Sequence, residues 1–444
     1  MTKYKGVKKS LKMFARAEAL IPGGVQLLSR RPQSFAYGVC PIYAAKAKGS
    51  RIWDVDGNEY IDTIAGIGAV QIGYCYEPVD RAVAQQIRRG ALYSINHESE
   101  VQMAELLREA VPCCQMVRYA KGGGDANAVA VRIARGFTGR DIVLFCGYHG
   151  WHDWYIAANL AEGALDSHLL PGVPPIGVPK ALRDTIFPFE YNNLDSLRAE
   201  LEAHRGEVAC IIMEACRFKQ PEPGFLEGVR KLATQHRAVL VFDEVVTGFR
   251  MALGGAQQYF GVTPDLATFA KGIGNGYPLA AVCGQREIMD VAKDMFISST
   301  YWSDPMALAA GIAVQKELRR KKIIRTIWRN GERFQAGFRE LIARHALPAI
   351  VMGYPPEFTI AFQHSSGEVN NLLGTLLSQE FARRGVFWGG VFYVLYTHSA
   401  ADIRHVLDAA DDIFALAAKG LRDGTLSRML DVPPKKPLFR RRLV

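Results

Sequence analysis

Pro264-Asp265-Leu266-Ala267-Thr268-Phe269-Ala270-Lys271-Gly272 is the stretch on which the reading of this chain turns. A short apolar run ends at a lysine, and glycines follow at 272, 274 and 276. Apolar residues bounded by proline and glycine read as a strand that stops just before Lys271. Upstream, Val239-Leu240-Val241-Phe242-Asp243-Glu244 repeats the pattern with a carboxylate at the strand end. Further strand-like runs lie at 116–120, 142–146, 209–213, 238–242 and 280–283, with amphipathic stretches at 126–137 and 226–236 between several of them. This alternation predicts an α/β domain around a largely parallel sheet. Such sheets take ligands at the carboxyl ends of their strands.

Outward from that centre the pattern changes. Arg51–Asp62 reads RIWDVDGNEYID, a hairpin with its turn at Asp56-Gly57-Asn58. The same aspartates resemble a calcium loop, but the downstream glutamate that such a loop needs is missing. Beyond about residue 310 the pattern predicts long helices, strand-like segments near 350–362 and 386–395, and a final helix over 401–419. The chain therefore divides into an N-terminal segment (1–70), a large α/β domain (71–315) and a smaller α+β domain (316–444). The basic N-terminus reads as a surface helix ending at Pro22-Gly23-Gly24, with an organellar transit peptide as the alternative.

The bulk composition excludes several classes. Of 444 residues, 49% are hydrophobic and 22% charged, as in ordinary globular proteins. No apolar run approaches the roughly 18–20 residues that a membrane-spanning helix needs. The net charge is +10, and part of it sits at the ends: five lysines in the first twelve residues, and Lys435, Lys436, Arg440, Arg441 and Arg442 in the tail. Basic and aromatic residues do not interleave as they do in nucleic-acid binders, so neither nucleic acid nor membrane is an expected partner. The eight cysteines form no CxxC pair, which points away from zinc and disulfides and toward the cytosol.

Four segments carry chemistry. Lys271 after a strand can be partly desolvated, which makes its amine a usable nucleophile, although most lysines there are simply solvated. Asp243 at the end of an apolar strand needs a partner, and a protonated pyridine nitrogen would serve; a helix cap or a structural ion pair is the plainer reading. Lys121-Gly122-Gly123-Gly124-Asp125 offers backbone N–H groups at a helix start, where a phosphate is well placed; Asp125 could instead simply cap the helix. Gly147-Tyr148-His149-Gly150-Trp151-His152 puts an aromatic at a strand end, suited to stacking on a flat ring or to packing on the core. His149 and His152 lack an evident third ligand, so no metal is expected.

In this order and spacing the four segments resemble the class III aminotransferases of the fold-type I pyridoxal-phosphate (PLP) family, and most closely the glutamate-1-semialdehyde aminomutase-like branch. The likeness runs from Ile21-Pro22-Gly23-Gly24-Val25 to the C-terminal helix and includes FDEVVTGFR and GGAQQYFGVTPDLATFAKGIGNGYPLAAVCG. It implies a large, mostly parallel seven-stranded sheet domain, with a smaller α+β domain made from the C-terminal part and the N-terminal segment. By that resemblance Lys271 is the Schiff-base lysine, Asp243 pairs with the pyridine nitrogen and Tyr148 stacks on the ring. The backbone at Gly123 and Gly124 holds the phosphate, Glu214 lies near the cofactor, and Thr300 reaches the phosphate across the interface of a homodimer with shared sites. The chain departs from the family in three places. Gly124 stands where a hydroxyl residue is usual. Met213-Glu214-Ala215 replaces Met-Glu-Pro, with Lys219 near the usual place of an acidic switch residue. Tyr301-Trp302-Ser303-Asp304 replaces a run of small residues, which puts Trp302 at the pocket mouth.

The implied reaction moves an amino group from an amino-acid donor to a carbonyl acceptor. Gln26–Pro32, GYHGWHDWY and Phe439-Arg440-Arg441 resemble the sub-branch associated with sugar and aminoglycoside antibiotic biosynthesis. The expected acceptor is therefore an oxidised sugar carbon, such as the 6′-aldehyde of an aminoglycoside. Arg30 could hold a substrate carboxylate bidentately, or lie on the surface. An aminomutase, a PLP-dependent epimerase of an amino sugar, and a cofactor-binding regulator without turnover are the alternatives.

Overall fold

The structure is a computed structural model and describes residues 4–161 and 173–436. The segment Phe439-Arg440-Arg441 lies outside the described residues. In chain order the strands are β1 Ala44–Lys48, β2 Arg51–Asp54, β3 Glu59–Asp62, β4 Met116–Ala120, β5 Ile142–Cys146, β6 Ile186–Pro188 and β7 Val208–Met213. They continue as β8 Val239–Asp243, β9 Leu266–Phe269, β10 Ala280–Gly284, β11 Ala349–Tyr354, β12 Glu357–Phe362, β13 Val386–Phe387 and β14 Val391–Tyr393. The described residues form two compact units, one from 77–324 and one from 4–76 together with 325–436.

In the first unit seven strands form one sheet in the order β4-β10-β9-β8-β7-β5-β6. From β9 to β6 every pairing is parallel. β10 runs antiparallel to both β4 and β9. Residues 270–279 join β9 to β10, and that is shorter than the dozen or so residues a parallel crossover needs. Every residue of β5, β7, β8, β9 and β10 is buried, which is why these strands read as continuous apolar runs. The helix Gly123–Thr138 buries Ala126, Val129, Ala130, Ile133 and Ala134 in the same core as Val143, Ile212 and Val241. Gly139, left-handed at φ 67°, ends that helix. The sequence pattern missed β6. It has only three residues, ends in a proline and sits at the sheet edge, where proline is tolerated.

The second unit holds two smaller sheets, β1-β2-β3-β13 and β11-β12-β14. The run near 350–362 resolves into a hairpin of β11 and β12 turning at Pro355-Pro356, and the run near 386–395 breaks at Gly389 and Gly390, where Gly390 has φ 98°. Phe358 and Phe392 stack face to face at 4.7 Å, with Phe334 and Phe338 beside them. The N-terminal helix, Lys8–Glu18, stops before Pro22–Gly24, which forms its own short turn. The aspartates of the β2–β3 hairpin are engaged by the fold. Asp54 accepts from the backbone and side chain of Asn58 and from the Tyr60 hydroxyl. Asp56 accepts from the Lys9 and Ser10 N–H groups at the start of the first helix.

Candidate active site

The site begins at the carboxyl edge of the large sheet. Register pairs Cys146 with Met213, Met213 with Phe242, and Asp243 with Thr268. The residues that follow these strand ends therefore leave from one edge, as a ligand site in such a sheet requires. They are the 147–152 segment, Glu214, Asp243 itself and, three residues beyond Thr268, Lys271.

Asp243 is buried, and its carboxylate is gripped from three directions. Asn127 Nδ2 donates to Oδ2 at 2.7 Å, and the Val245 N–H donates to Oδ1 at 3.0 Å. His149 Nδ1 lies 2.9 Å from Oδ2. Thr268 Oγ1 donates to Asn127 Oδ1 at 2.6 Å, which fixes the amide so that its NH₂ faces Asp243. His149 Nε2 is buried with no hydrogen-bond partner in the structure. The next residue, Glu244, is also buried but faces other groups: the N–H groups of Ala256 and Gln257 donate to it at 2.7 and 2.9 Å. Glu244 is thus a structural anchor for the helix Gly255–Phe260, and Asp243 is the chemical member of the pair.

Lys271 is half-buried and sits at φ 52°, the left-handed region. For a residue with a side chain that conformation costs of order 1 kcal/mol or more, and such strain concentrates at functional positions.

Tyr148 is positioned by its backbone. Its N–H donates to Glu214 Oε2 at 3.1 Å, and its ring meets Tyr155 edge-on at 6.0 Å. A Cβ at Gly147 would come within 2.8 Å of Glu214 Oε2, so only glycine permits this approach. Burial pushes the Glu214 carboxyl above its ordinary range, while Arg217 pulls it down. Burial likewise raises the Tyr148 phenol. Lys219 is exposed.

The helix Gly123–Thr138 opens the glycine loop. Its first internal bond runs from the Ala126 N–H to the Gly122 carbonyl, so the N–H groups of Gly123, Gly124 and Asp125 precede the helical ladder. Asp125 Oδ2 accepts from the Gly122 N–H at 2.9 Å and does cap the loop. A Cβ at Gly123 would lie 2.8 Å from both γ-carbons of Val245, two residues past Asp243. The result is a side-chain-free cradle of backbone donors backed by the Asp243 turn. A phosphate fits such a helix start, and a positively charged ring nitrogen fits the buried carboxylate.

The structure joins Asp243, Tyr148, Glu214 and the glycine loop through these contacts, and places Lys271 on the same sheet edge. Thr300 lies exposed in a turn of the same unit. Trp302 is half-buried and packs against the large core. Arg30 is exposed in the other unit, near Tyr74, whose phenol is raised by burial and by Asp62 and only partly drawn back by the Arg30 charge. The sequence reading missed Asn127 and Thr268. Each is a lone polar residue in an apolar stretch, a signal visible in Ala126-Asn127-Ala128 and Leu266-Ala267-Thr268-Phe269. Among the described residues no group of three or more His, Cys, Asp or Glu could hold a metal, and no helix is long and apolar enough to cross a membrane. All eight cysteines are free, and only Cys75 is exposed.

The profile of the family Aminotransferase class-III matches residues 34–364. This chain belongs to the class III aminotransferases. Pyridoxal phosphate is the cofactor of that family, and the seven-stranded sheet is that of a fold-type I enzyme. Among its relatives is a 3-aminobutyryl-CoA aminotransferase of Cloacimonas acidaminovorans (strain Evry), 37% identical over 93% of this chain and 98% of the relative. Another is a glutamate-1-semialdehyde 2,1-aminomutase of Syntrophobacter fumaroxidans, 34% identical over 90% of this chain and 96% of the relative. Among solved structures, the PLP internal aldimine form of the FumI protein of Sphingopyxis sp. MTA144 superposes with a TM-score of 0.85. It is 25% identical and covers 97% of this chain and 100% of that one. An omega-transaminase from Sphaerobacter thermophilus gives a TM-score of 0.81 at 27% identity, covering 93% of this chain and 98% of that one.

Proposed function

We propose that this class III aminotransferase is a cytosolic homodimer that moves an amino group from an amino-acid donor to an oxidised sugar carbon, with Lys271 as its cofactor-anchoring and proton-carrying residue. The observation that carries the catalytic part is the buried Asp243, held by three groups and in register with the strand that leads to Lys271. The bound cofactor supplies an electron sink that acidifies the carbon bearing the substrate amine. Asp243, fixed by Asn127 and Val245, would hold the ring nitrogen in its protonated form. With the cofactor bound, Tyr148 would stack on the ring, and the Gly123 and Gly124 N–H groups would bind the phosphate. Lys271 would anchor the cofactor, and its Nζ, when free, would take the proton from the substrate carbon and give it back as a general acid. Glu214 orients Tyr148 through its backbone.

The dimer reading rests on Ser299, Thr300 and Tyr301, exposed in sequence order and available to a second copy, with Phe296 exposed nearby. Thr300 then adds a hydroxyl to the partner's phosphate. The sugar acceptor rests on the sequence segments 26–32 and 147–155. A second reading of the substrate comes from the relatives, whose names specify 3-aminobutyryl-CoA, an amine whose keto counterpart is the matching acceptor, and the amino-aldehyde acid glutamate-1-semialdehyde.

Borohydride reduction of the PLP-loaded protein followed by peptide mapping tests the anchor: a pyridoxyl adduct on Lys271 is expected, and its absence would sink the reading. Half-reactions with a panel of amino donors, then acceptors of three kinds (aminoglycoside 6′-aldehydes, β-keto thioesters and glutamate-1-semialdehyde), decide the substrate. Turnover of only the second kind removes the sugar. Isomerisation of the third without a second substrate makes the enzyme an aminomutase. Solvent deuterium entering an amino sugar without a keto product makes it an epimerase.

A further inference from the structure

We propose that the imidazole of His152 replaces the missing side chain of position 124 and donates to the cofactor phosphate. This rests on the reading that the 122–124 loop binds that phosphate. Between Lys121 and Asp125 the loop is Gly122-Gly123-Gly124 and offers no side-chain donor. A Cβ built on Gly124 would lie 3.1 Å from His152 Nδ1 and 3.2 Å from its Cε1. The ring therefore stands in the volume where a serine or threonine at 124 would begin.

Nδ1 is buried and has no hydrogen-bond partner in the structure. A buried polar nitrogen without a partner is costly, so an acceptor that completes it gains accordingly. On the opposite side of the ring, Nε2 faces Asp125 Oδ1 at 3.4 Å. An imidazole donates from both nitrogens only as the imidazolium.

The neighbouring backbone explains how the ring gets there. Gly150 has φ 114°, and a Cβ on it would lie 2.8 Å from Gly124 Cα. The 150–152 segment is thus pressed directly onto the loop. Trp151 packs on the His152 ring at 4.5 Å and restricts its rotation. The glycine at 124 and the histidine at 152 are two halves of one arrangement: either residue with a larger or smaller partner fails to fill the space.

The test compares PLP with pyridoxal, which lacks the phosphate, by equilibrium dialysis against the full-length apo protein. Wild type is expected to prefer PLP strongly. His152→Ala should weaken PLP roughly tenfold or more, the scale of one charge-assisted hydrogen bond, and leave pyridoxal affinity nearly unchanged. His152→Asn, which keeps a donor near Nδ1, should retain most of the preference and guards against a folding artefact. Gly124→Ser alone should weaken PLP, because its Cβ meets the ring. Gly124→Ser with His152→Ala should recover PLP binding relative to His152→Ala alone. Equal losses for PLP and pyridoxal, or an unchanged ratio in His152→Ala, overturn the assignment. A wild-type protein that binds PLP no better than pyridoxal overturns the loop reading as well, whereas a retained borohydride adduct on Lys271 would leave the anchor standing.

Discussion

Two buried carboxylates, one in each unit, are held in opposite ways. Asp62 closes on itself. Its oxygens accept from the N–H groups of Ile64 and Ala65 at 2.8 and 3.1 Å and from the Tyr74 hydroxyl at 2.6 Å. His398 Nε2 reaches the Asp62 carbonyl at 3.1 Å, and its Nδ1 accepts from the Leu395 N–H at 3.0 Å. Both histidine nitrogens are satisfied by backbone. Asp243 is gripped as firmly but from a network that stays open: His149 Nε2 is left over, and the Glu214 carboxyl, raised by burial, is raised further by the nearby Asp243 charge. A closed network contributes to folding because each polar group is already matched. An open one keeps unmatched capacity where a ligand can use it. Burial alone does not tell the two apart; the count of satisfied atoms does.

The largest expected effect is on the open side. Asp243→Asn keeps the shape and removes the charge, and should lower kcat by about 10²-fold or more, the usual scale for losing an electrostatic stabiliser. Stability should fall as well, because the new amide places a donor against either the Val245 N–H or the Asn127 amide, so kcat is read per folded molecule. Steady-state kinetics and thermal melts on one preparation check both, and a loss of activity explained entirely by unfolding would erase the contrast.

Next comes pH, read on the closed side. Burial lowers His398 from 6.5 to about 4. The folded chain resists a proton that the unfolded chain accepts, so this stabilisation is complete above pH 6.5 and is lost as pH falls from there toward 4. The full swing is on the order of 3 kcal/mol at most. Urea unfolding between pH 7 and 4 should show it, with a shallower slope in His398→Gln; identical slopes would remove His398 as the cause. Asp62→Asn should follow at about 1–3 kcal/mol of stability, because one buried acceptor becomes a donor facing donors. Its activity per folded molecule should stay near wild type, measured by active-site titration.

What the sequence made legible follows the same division. β5, β7 and β8 are buried on both faces, so their apolar runs were plain, and a lysine and an aspartate at strand ends stood out against them. Gly124 was visible as a departure from the family's loop. What fills its space was not, since His152 comes from beyond the next strand and meets it only through the close approach of Gly150. The partners of Asp243 were equally hidden: His149 and Asn127 lie 94 and 116 positions away, and no local pattern encodes contacts over that separation. The partners of the hairpin aspartates were hidden in the same way. Asp56 instead accepts from the Lys9 N–H, 47 positions earlier in the first turn of the helix Lys8–Glu18.

The smallest predicted effect is the sharpest probe of the open network. Thr268 is fully buried and donates to Asn127 Oδ1, the only role its hydroxyl needs in order to fix the amide. With that oxygen occupied, Asn127 Nδ2 must point to Asp243 and to the His149 carbonyl, at 2.7 and 3.1 Å. Thr268→Val keeps the volume and removes the donor, so the amide loses its preferred orientation and Asp243 loses part of its grip. One neutral hydrogen bond is worth about 1 kcal/mol, so kcat should fall roughly fivefold. Thr268→Ser should restore most of it. A role in packing alone would give the opposite ranking, because valine keeps the methyl contacts in the core and serine gives one up.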